Sequence, residues 1–239
     1  MLSLFGSCGG LLVASSLLIV SDRARAQVVP WLVSYAVGAL LGVALLALLP
    51  EALETLAPVP VLATLLGGIL VFFVLEKLVL LRHCHAESCH VHAAAPLVII
   101  GDAFHNFLDG AMISAAVLTS VPLGISTAIA VAAHEIPQEV GDVAILLAAG
   151  YSRTRALILN VASGGSGLVG ALLAYGIVEL VPRIRPFVLA FSSASLLYIA
   201  MADLIPDLHR GQIDRSAPRQ VLLIGAGVAT ILVFERLVG

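Results

Sequence analysis

The chain has 239 residues, of which 60% are hydrophobic and 11% are charged, and its mean hydropathy is +1.10. These values exclude a water-soluble globular protein, and they exclude a disordered chain, which needs low hydrophobicity and many charges. The formal net charge is −3 and no basic cluster is present, which argues against nucleic acid as a partner.

Eight apolar segments are long enough to cross a bilayer, which needs about 20 mostly apolar residues. In chain order they cover residues 2–20, 28–52, 61–81, 96–119, 123–150, 155–180, 185–206 and 218–238. They show no alternation of apolar and polar residues, so we expect helices rather than the strands of a membrane β-barrel. The predicted fold is an all-α integral membrane protein of eight transmembrane helices, with one polytopic domain over residues 1–239.

The twelve Lys and Arg residues are distributed unevenly between the two sides of this predicted bundle. Nine lie in the odd-numbered connections and three on the opposite side, so the positive-inside rule places the odd-numbered connections in the cytoplasm. With eight spans, both termini are then extracytoplasmic. An alternative at the start is a signal peptide cleaved near Arg25, but no positive charge precedes the first apolar segment, and we favour a retained span.

Spans four and five carry many polar side chains for membrane helices. These are Asp102, His105, Asn106 and Asp109 in span four, and His134, Glu135, Gln138, Glu139 and Asp142 in span five. Each ionisable group in a bilayer costs at least about 2.5–3.5 kcal/mol on insertion scales, so each one indicates function. Because no Lys or Arg lies between Arg82 and Arg153, the five carboxylates need protonation, a cation from another span or a bound metal ion. The accompanying imidazoles favour the metal ion.

Helical spacing places these side chains on two faces that can converge. His105 and Asp109 are four residues apart and share a face. The same spacing relates His134 to Gln138 and Glu135 to Glu139, while Asp102 and Asp142 extend the two faces by a turn. Both histidines lie roughly 20 Å from the short connection between the two spans, at about 1.5 Å per residue. The sequence therefore predicts a metal site near the middle of the membrane.

Residues 105–110 read HNFLDG and residues 134–142 read HEIPQEVGD. These two segments resemble the paired signatures of the ZIP (Zrt/Irt-like protein) family of divalent-metal transporters. Weaker matches lie at residues 49–52, LPEA, and 197–207, LYIAMADLIPD, so the resemblance covers nearly the whole chain. It implies a prokaryotic-type ZIP protein with a two-bundle architecture, which moves Zn²⁺, and in some members Fe²⁺, Mn²⁺ or Cd²⁺, into the cytoplasm.

The resemblance also implies a set of metal-binding positions. They are occupied here by His105, Asn106, Asp109, His134, Glu135, Gln138 and Glu139. One departure is Gln138, which stands where the commonest form of the motif has His. An amide oxygen is a harder and weaker ligand than an imidazole, so we expect lower Zn²⁺ affinity and wider tolerance of harder ions. Span six carries Asn160, Ser163 and Ser166 but no carboxylate before Glu179, which leaves the number of bound metals open.

The connection over residues 82–95 is rich in metal-binding side chains. It contains His83, Cys84, His85, Cys89, His90 and His92. Zn²⁺ favours N and S ligands, and the spacing matches no rigid zinc finger, so we expect a flexible cytoplasmic metal trap or sensor. The alternative is a polar connector without a role in metal binding.

Two other function classes are consistent with parts of the pattern. The order of His134, Glu135 and Gln138 resembles a zinc-protease motif with its second His replaced, so an intramembrane metalloprotease is one alternative. A proton-coupled carrier, whose carboxylates titrate without metal, is the other. We favour a zinc transporter of the cell membrane over an enzyme. Its expected partners are divalent metal ions, membrane lipid and a second copy of the chain in a homodimer.

Overall fold

The computed structural model describes residues 22–83, 91–209 and 217–238, and this part of the chain is helical, without strands. The helices are α1 (Asp22–Val43, continued by Ala44–Leu48 and Leu49–Thr55), α2 (Pro58–His83), α3 (Val91–Thr119), α4 (Val121–Ala148), α5 (Arg153–Gly164 and Ser166–Leu180), α6 (Arg185–Tyr198, continued by Ile199–Leu204 and Ile205–His209) and α7 (Ala217–Val238). A short 3₁₀ turn, Pro182–Ile184, joins α5 to α6. The predicted all-α fold is confirmed for these residues.

Five of the described helical segments are long and apolar enough to cross a membrane. They are Val28–Thr55, Pro58–Lys77, Arg153–Leu180, Pro182–Leu204 and Ala217–Arg236. Helices α3 and α4, which carry the ionisable and amide side chains of the predicted metal site, are not among these five. The predicted span 2–20 lies outside the described residues. The eight-span count and the extracytoplasmic termini therefore remain predictions.

Two helices contain a wider, π-helical turn immediately before a proline. In α1 this turn is Ala44–Leu48, ahead of Pro50, and in α6 it is Ile199–Leu204, ahead of Pro206. A proline has no amide hydrogen, and its ring clashes with the carbonyl group four residues earlier. In both helices that carbonyl group lies inside the π-helical turn. There each carbonyl oxygen accepts a hydrogen bond from the amide five residues later, which leaves room for the proline ring. Each turn packs against the helix that contains the other.

Close packing at glycines fixes the position of α3 against α5. A Cβ atom at Gly110 of α3 would lie 1.8 Å from the carbonyl oxygen of Gly167, and one at Gly170 of α5 would lie 1.9 Å from that of Phe107. Helix α1 approaches α7 as closely, because a Cβ atom at Gly38 would lie 1.9 Å from the α7 backbone. Small residues permit such contacts in membranes, where van der Waals packing rather than the hydrophobic effect holds helices together.

The buried apolar core lies mainly between α1, α3, α4 and α6. It includes Leu40, Ile113 and Leu196, which are fully buried or nearly so. Helices α2 and α7 instead expose large apolar side chains, such as Leu66 at 58% and Val221 at 70%. Apolar outer faces of this kind are suited to contact with lipid, and they leave the polar side chains of α3 and α4 in the interior.

Most of the predicted connection over residues 82–95 lies outside the residues that the structure describes. Helix α2 extends to His83 and α3 begins at Val91, so the described backbone is helical at both ends of this connection. The residues in between carry Cys84, His85, Cys89 and His90, and they lie outside the described residues, as do the side chains of His83 and His92. The metal trap stays a prediction.

Candidate metal centre

Four side chains of α3 and α4 meet inside the helix bundle. They are His105 and Asp109 of α3 and His134 and Glu135 of α4. Each offers one ligand atom, and these atoms all lie within 4.8 Å of one another. Asp109, His134 and Glu135 are buried, while the side chain of His105 is 19% exposed. We call these four residues the four-donor centre.

Three atoms of this centre form a triangle whose size suits a single metal ion. The Nε2 atoms of His105 and His134 are 3.0 Å apart, and the Oδ2 atom of Asp109 lies 3.4 Å and 3.1 Å from them, respectively. In a tetrahedral zinc shell with bonds of about 2.0–2.1 Å, neighbouring ligand atoms stand about 3.3–3.4 Å apart. The triangle departs from these values by a few tenths of an ångström.

A hydrogen bond fixes the orientation of the His134 ring. The Nδ1 atom of His134 is 3.2 Å from the carbonyl oxygen of Ala130, one turn earlier in α4. A carbonyl oxygen can only accept, so Nδ1 carries the hydrogen and donates it. The lone pair of Nε2 then faces His105 and Asp109, as a metal-binding histidine requires.

The carboxylates of the centre lack protein donors. Neither oxygen of Glu135 and neither oxygen of Asp109 has a hydrogen-bond donor among the residues that the structure describes. A buried carboxylate without a donor or a counter-charge is costly, by several kcal/mol per ion. A divalent cation held by these oxygens and the two imidazoles would compensate that cost.

Beside the centre, the Asp102 carboxylate binds the two amide side chains. Its Oδ1 atom accepts hydrogen bonds from Asn106 Nδ2 at 2.9 Å and from Gln138 Nε2 at 3.2 Å, and its Oδ2 atom accepts one from the Ser163 hydroxyl of α5. Both amides therefore use their donor ends on Asp102. The Oδ1 atom of Asn106 has no partner in the described part of the chain and remains available as a ligand.

We expect removal of the Ser163 hydroxyl to destabilise the protein. Ser163→Ala deletes one donor to a buried carboxylate, and hydrogen bonds to charged groups contribute about 1.5–3 kcal/mol. Ser195→Ala is the matched control, because Ser195 is equally buried but its hydroxyl has no partner among the described residues. The measurement is thermal unfolding of the detergent-solubilised chain. Equal transition temperatures for the two variants would contradict the importance of the hydrogen bond to Asp102.

Glu139, the last of the predicted ligands, lies apart from the four-donor centre. Its side chain is buried and lies beside Asn160 of α5, facing Asp102 and Asp142. The predicted set of seven residues thus divides into three groups in the structure: four gathered donors, two amides bound to Asp102, and Glu139 next to α5.

The predicted ligand set omits Asp102, Ser163 and Asn160, all of which the structure brings next to it. One signal for Asp102 is present in the sequence, since Asp102 and Asn106 are four residues apart and share a helix face. No such spacing relates Ser163 or Asn160 to the site, because they lie on another helix.

A family model described as ZIP Zinc transporter matches residues 82–235. The chain belongs to the ZIP zinc transporter family. The matched region contains all of α4 and α5, and the whole candidate metal centre. Together with the five helices long and apolar enough to span a bilayer, membership shows that this ZIP chain is a multi-pass membrane protein.

Similar ZIP proteins occur in vertebrates. The chain is 34% identical to zinc transporter ZIP13 of Pongo abelii over 221 residues, which cover 85% of this chain and 66% of the relative. It is 30% identical to human ZIP13 over 259 residues, with coverage of 85% and 70%. Mouse ZIP4 is 42% identical over 112 residues, with coverage of 46% and 16%. The chain thus spans about two thirds of the length of ZIP13 but a much smaller part of ZIP4.

Proposed function

We propose that this ZIP protein transports divalent transition metals, zinc above all, through the four-donor centre between α3 and α4. The observation that carries the proposal is the buried triangle of two imidazole nitrogens and one carboxylate oxygen, with edges of 3.0, 3.1 and 3.4 Å. The family and the relatives named as zinc transporters support it. These relatives also favour a transporter over the metalloprotease alternative.

In this proposal the ion is a substrate that the centre binds on its way through. His105, His134 and Asp109 bind it as the triangle, and Glu135 supplies a fourth ligand. The carboxylates offset the charge of the ion as its water is removed, and the imidazoles favour transition metals. The side-chain carbonyl oxygens of Asn106 and Gln138 are harder ligands than the imidazoles, and they extend the range of substrates to Mn²⁺, Fe²⁺ and Cd²⁺.

The proposal includes the orientation expected from the charge distribution. Eight spans with extracytoplasmic termini place the connection between α3 and α4 outside and residues 82–95 inside. Metal then enters near residue 120, moves along α3 and α4 and leaves toward the His- and Cys-rich connection, which receives it.

Uptake of radioactive ⁶⁵Zn²⁺ into proteoliposomes tests the proposed function. We expect saturable uptake by the native chain and none by protein-free liposomes, with Cd²⁺, Fe²⁺ and Mn²⁺ as competitors. A well-folded preparation that takes up no zinc would contradict the proposal and favour the carrier without metal.

We expect Gln138→His to raise selectivity for zinc. An imidazole at this position replaces a hard amide oxygen by a nitrogen donor, which Zn²⁺ prefers and Mn²⁺ does not. The ratio of the half-saturating concentrations of Mn²⁺ and Zn²⁺ in the uptake assay should rise by about tenfold, which corresponds to about 1.4 kcal/mol. An unchanged ratio would show that Gln138 acts on Asp102 alone and not on the ion.

A further inference from the structure

Three basic side chains among the described residues each lie over an aromatic ring, far along the chain from the four-donor centre. The pairs, with the distance from the cationic atom to the centre of the ring, are Lys77 with Phe73 at 5.6 Å, Arg155 with Tyr151 at 4.8 Å and Arg219 with Trp31 at 4.7 Å. Every one of these residues lies within four positions of the end of a helical segment that is long and apolar enough to cross a membrane. The distribution of Lys and Arg places all of these ends on the cytoplasmic side.

The pair of Arg219 and Trp31 differs from the other two because the tertiary structure brings it together. In the other pairs the two residues are four positions apart in the chain, whereas Trp31 lies on α1 and Arg219 on α7. Farther along both helices, Gly38 of α1 meets the backbone of Ile224 of α7, so α1 and α7 run in the same direction. Their close packing therefore holds the ring and the guanidinium together at the cytoplasmic end of the helix pair.

The Arg219 guanidinium has donors to spare. Its side chain is exposed, and that of Trp31 is 41% exposed. No ion pair joins Arg219 to a carboxylate among the residues that the structure describes. The ring attracts the positive charge, but it does not occupy the five N–H groups of the guanidinium. A guanidinium with free N–H groups matches the oxygens of a phosphate group, to which it can donate two parallel hydrogen bonds.

Apolar side chains lie on the membrane side of this pair. Val221 and Leu222 follow Arg219 in α7, and both are largely exposed. Such side chains are suited to contact with the acyl chains of a lipid. A ligand with an anionic head and apolar chains therefore complements both parts of the surface. Anionic phospholipids have this chemistry, and they are concentrated in the cytoplasmic leaflet.

We propose that Arg219 and Trp31 form a binding site for the headgroup of an anionic phospholipid in the cytoplasmic leaflet. The guanidinium donates hydrogen bonds to the lipid phosphate, and the Trp31 ring holds the guanidinium at the depth of the headgroups. The acyl chains lie along the exposed apolar side chains of α7. The site belongs to α1 and α7 and not to the helices of the four-donor centre, so it does not rest on the proposed transport function.

The fluorescence of Trp31 tests this site directly, because the chain has one tryptophan. The full chain is reconstituted in phosphatidylcholine vesicles that contain a minor fraction of phosphatidylglycerol. Bromine atoms, which quench tryptophan on contact, are carried by the acyl chains of either the phosphatidylglycerol or an equal amount of the phosphatidylcholine. We expect brominated phosphatidylglycerol to quench Trp31 about fivefold more strongly than brominated phosphatidylcholine, the enrichment expected from one Arg beside an anionic lipid.

Arg219→Gln should abolish this preference, so that the two brominated lipids quench Trp31 equally. Arg236→Gln is the matched control, because Arg236 is an exposed arginine near the opposite end of the same helix. This variant has the same net charge as Arg219→Gln and should keep the native preference. Both side chains are exposed, so neither change removes a buried contact.

A preference that is lost in Arg219→Gln and kept in Arg236→Gln would support the lipid site, even if the native chain fails to take up zinc. Equal quenching by the two lipids in the native chain, or an unchanged preference in Arg219→Gln, would overturn it, even if zinc uptake is normal. Loss of the preference in both variants would also overturn it, because the net charge of the chain would then be the cause. If excess soluble glycerol phosphate abolished the preference, the occupant would be a soluble phosphate compound, and the lipid site would be wrong.

Discussion

Replacement of His134 by Ala is expected to abolish zinc uptake. Its Nε2 atom lies 3.0 Å from the Nε2 atom of His105 and 3.1 Å from the Oδ2 atom of Asp109, so the change removes one corner of the triangle. Changes in groups that merely orient a metal ligand reduce affinity by about 10–100-fold, and loss of the ligand itself should exceed that range. The measurements are ⁶⁵Zn²⁺ uptake into proteoliposomes and zinc binding in detergent.

Thr127→Ala is the matched control for this variant. Thr127 is buried on the same helix, and its hydroxyl donates at 2.7 Å to the carbonyl oxygen of Leu123 within that helix. Its loss therefore leaves the four-donor centre unchanged. If His134→Ala and Thr127→Ala both retained native uptake and zinc affinity, the ion would pass elsewhere and the proposed function of this centre would be wrong.

Gly170→Ala is expected to damage both stability and transport, although Gly170 touches no metal ligand. Its added Cβ atom would lie 1.9 Å from the carbonyl oxygen of Phe107, whereas real contacts of this kind are at least about 3.0 Å, so α3 and α5 must separate by about 1 Å. Overpacking of this kind costs about 1–3 kcal/mol. A shift of about 1 Å in α3, which carries His105 and Asp109, can also reduce the transport rate by about 100-fold.

Gly176→Ala on the same helix is the control for this effect. A Cβ atom at Gly176 meets nothing within 4 Å. The change should be neutral or slightly stabilising, because Ala is favoured over Gly in helices by about 1 kcal/mol. The measurements are the thermal unfolding temperature in detergent and the initial rate of ⁶⁵Zn²⁺ uptake. Equal results for Gly170→Ala and Gly176→Ala would show that the close α3–α5 contact does not position the site.

Much of the fold is predictable from composition and helical length. Apolar segments of about 20 residues have one stable form in lipid, the helix, because every backbone polar group must be satisfied within the segment. The predicted segments 123–150 and 155–180 correspond closely to α4 and α5. The π-helical turns before Pro50 and Pro206 are harder to predict, since a proline can also kink or end a helix.

The site is predictable only where its ligands share a helix or a motif. The pairs His105 with Asp109 and His134 with Glu135 lie within one turn of their helices, and the structure gathers these four residues. Glu139 belongs to the same motif but lies beside Asn160 instead. Spacing fixes the face of a helix on which a residue lies, but not which neighbouring helix that face meets.

The sequence by itself determined that this is a helical membrane protein, because segments of about 20 apolar residues match the thickness of a bilayer. It also determined that α3 and α4 carry a cluster of polar side chains that need a compensating positive charge, because buried charges are costly in a membrane. The tertiary structure decided how the polar side chains of this cluster are grouped: four gathered donors, two amides bound to Asp102, and Glu139 next to α5. The packing of α5 against both α3 and α4 brings Ser163 to Asp102 and Asn160 to Glu139. These contacts join residues more than 20 positions apart, so they follow from the packing of three helices and not from the spacing along any one of them.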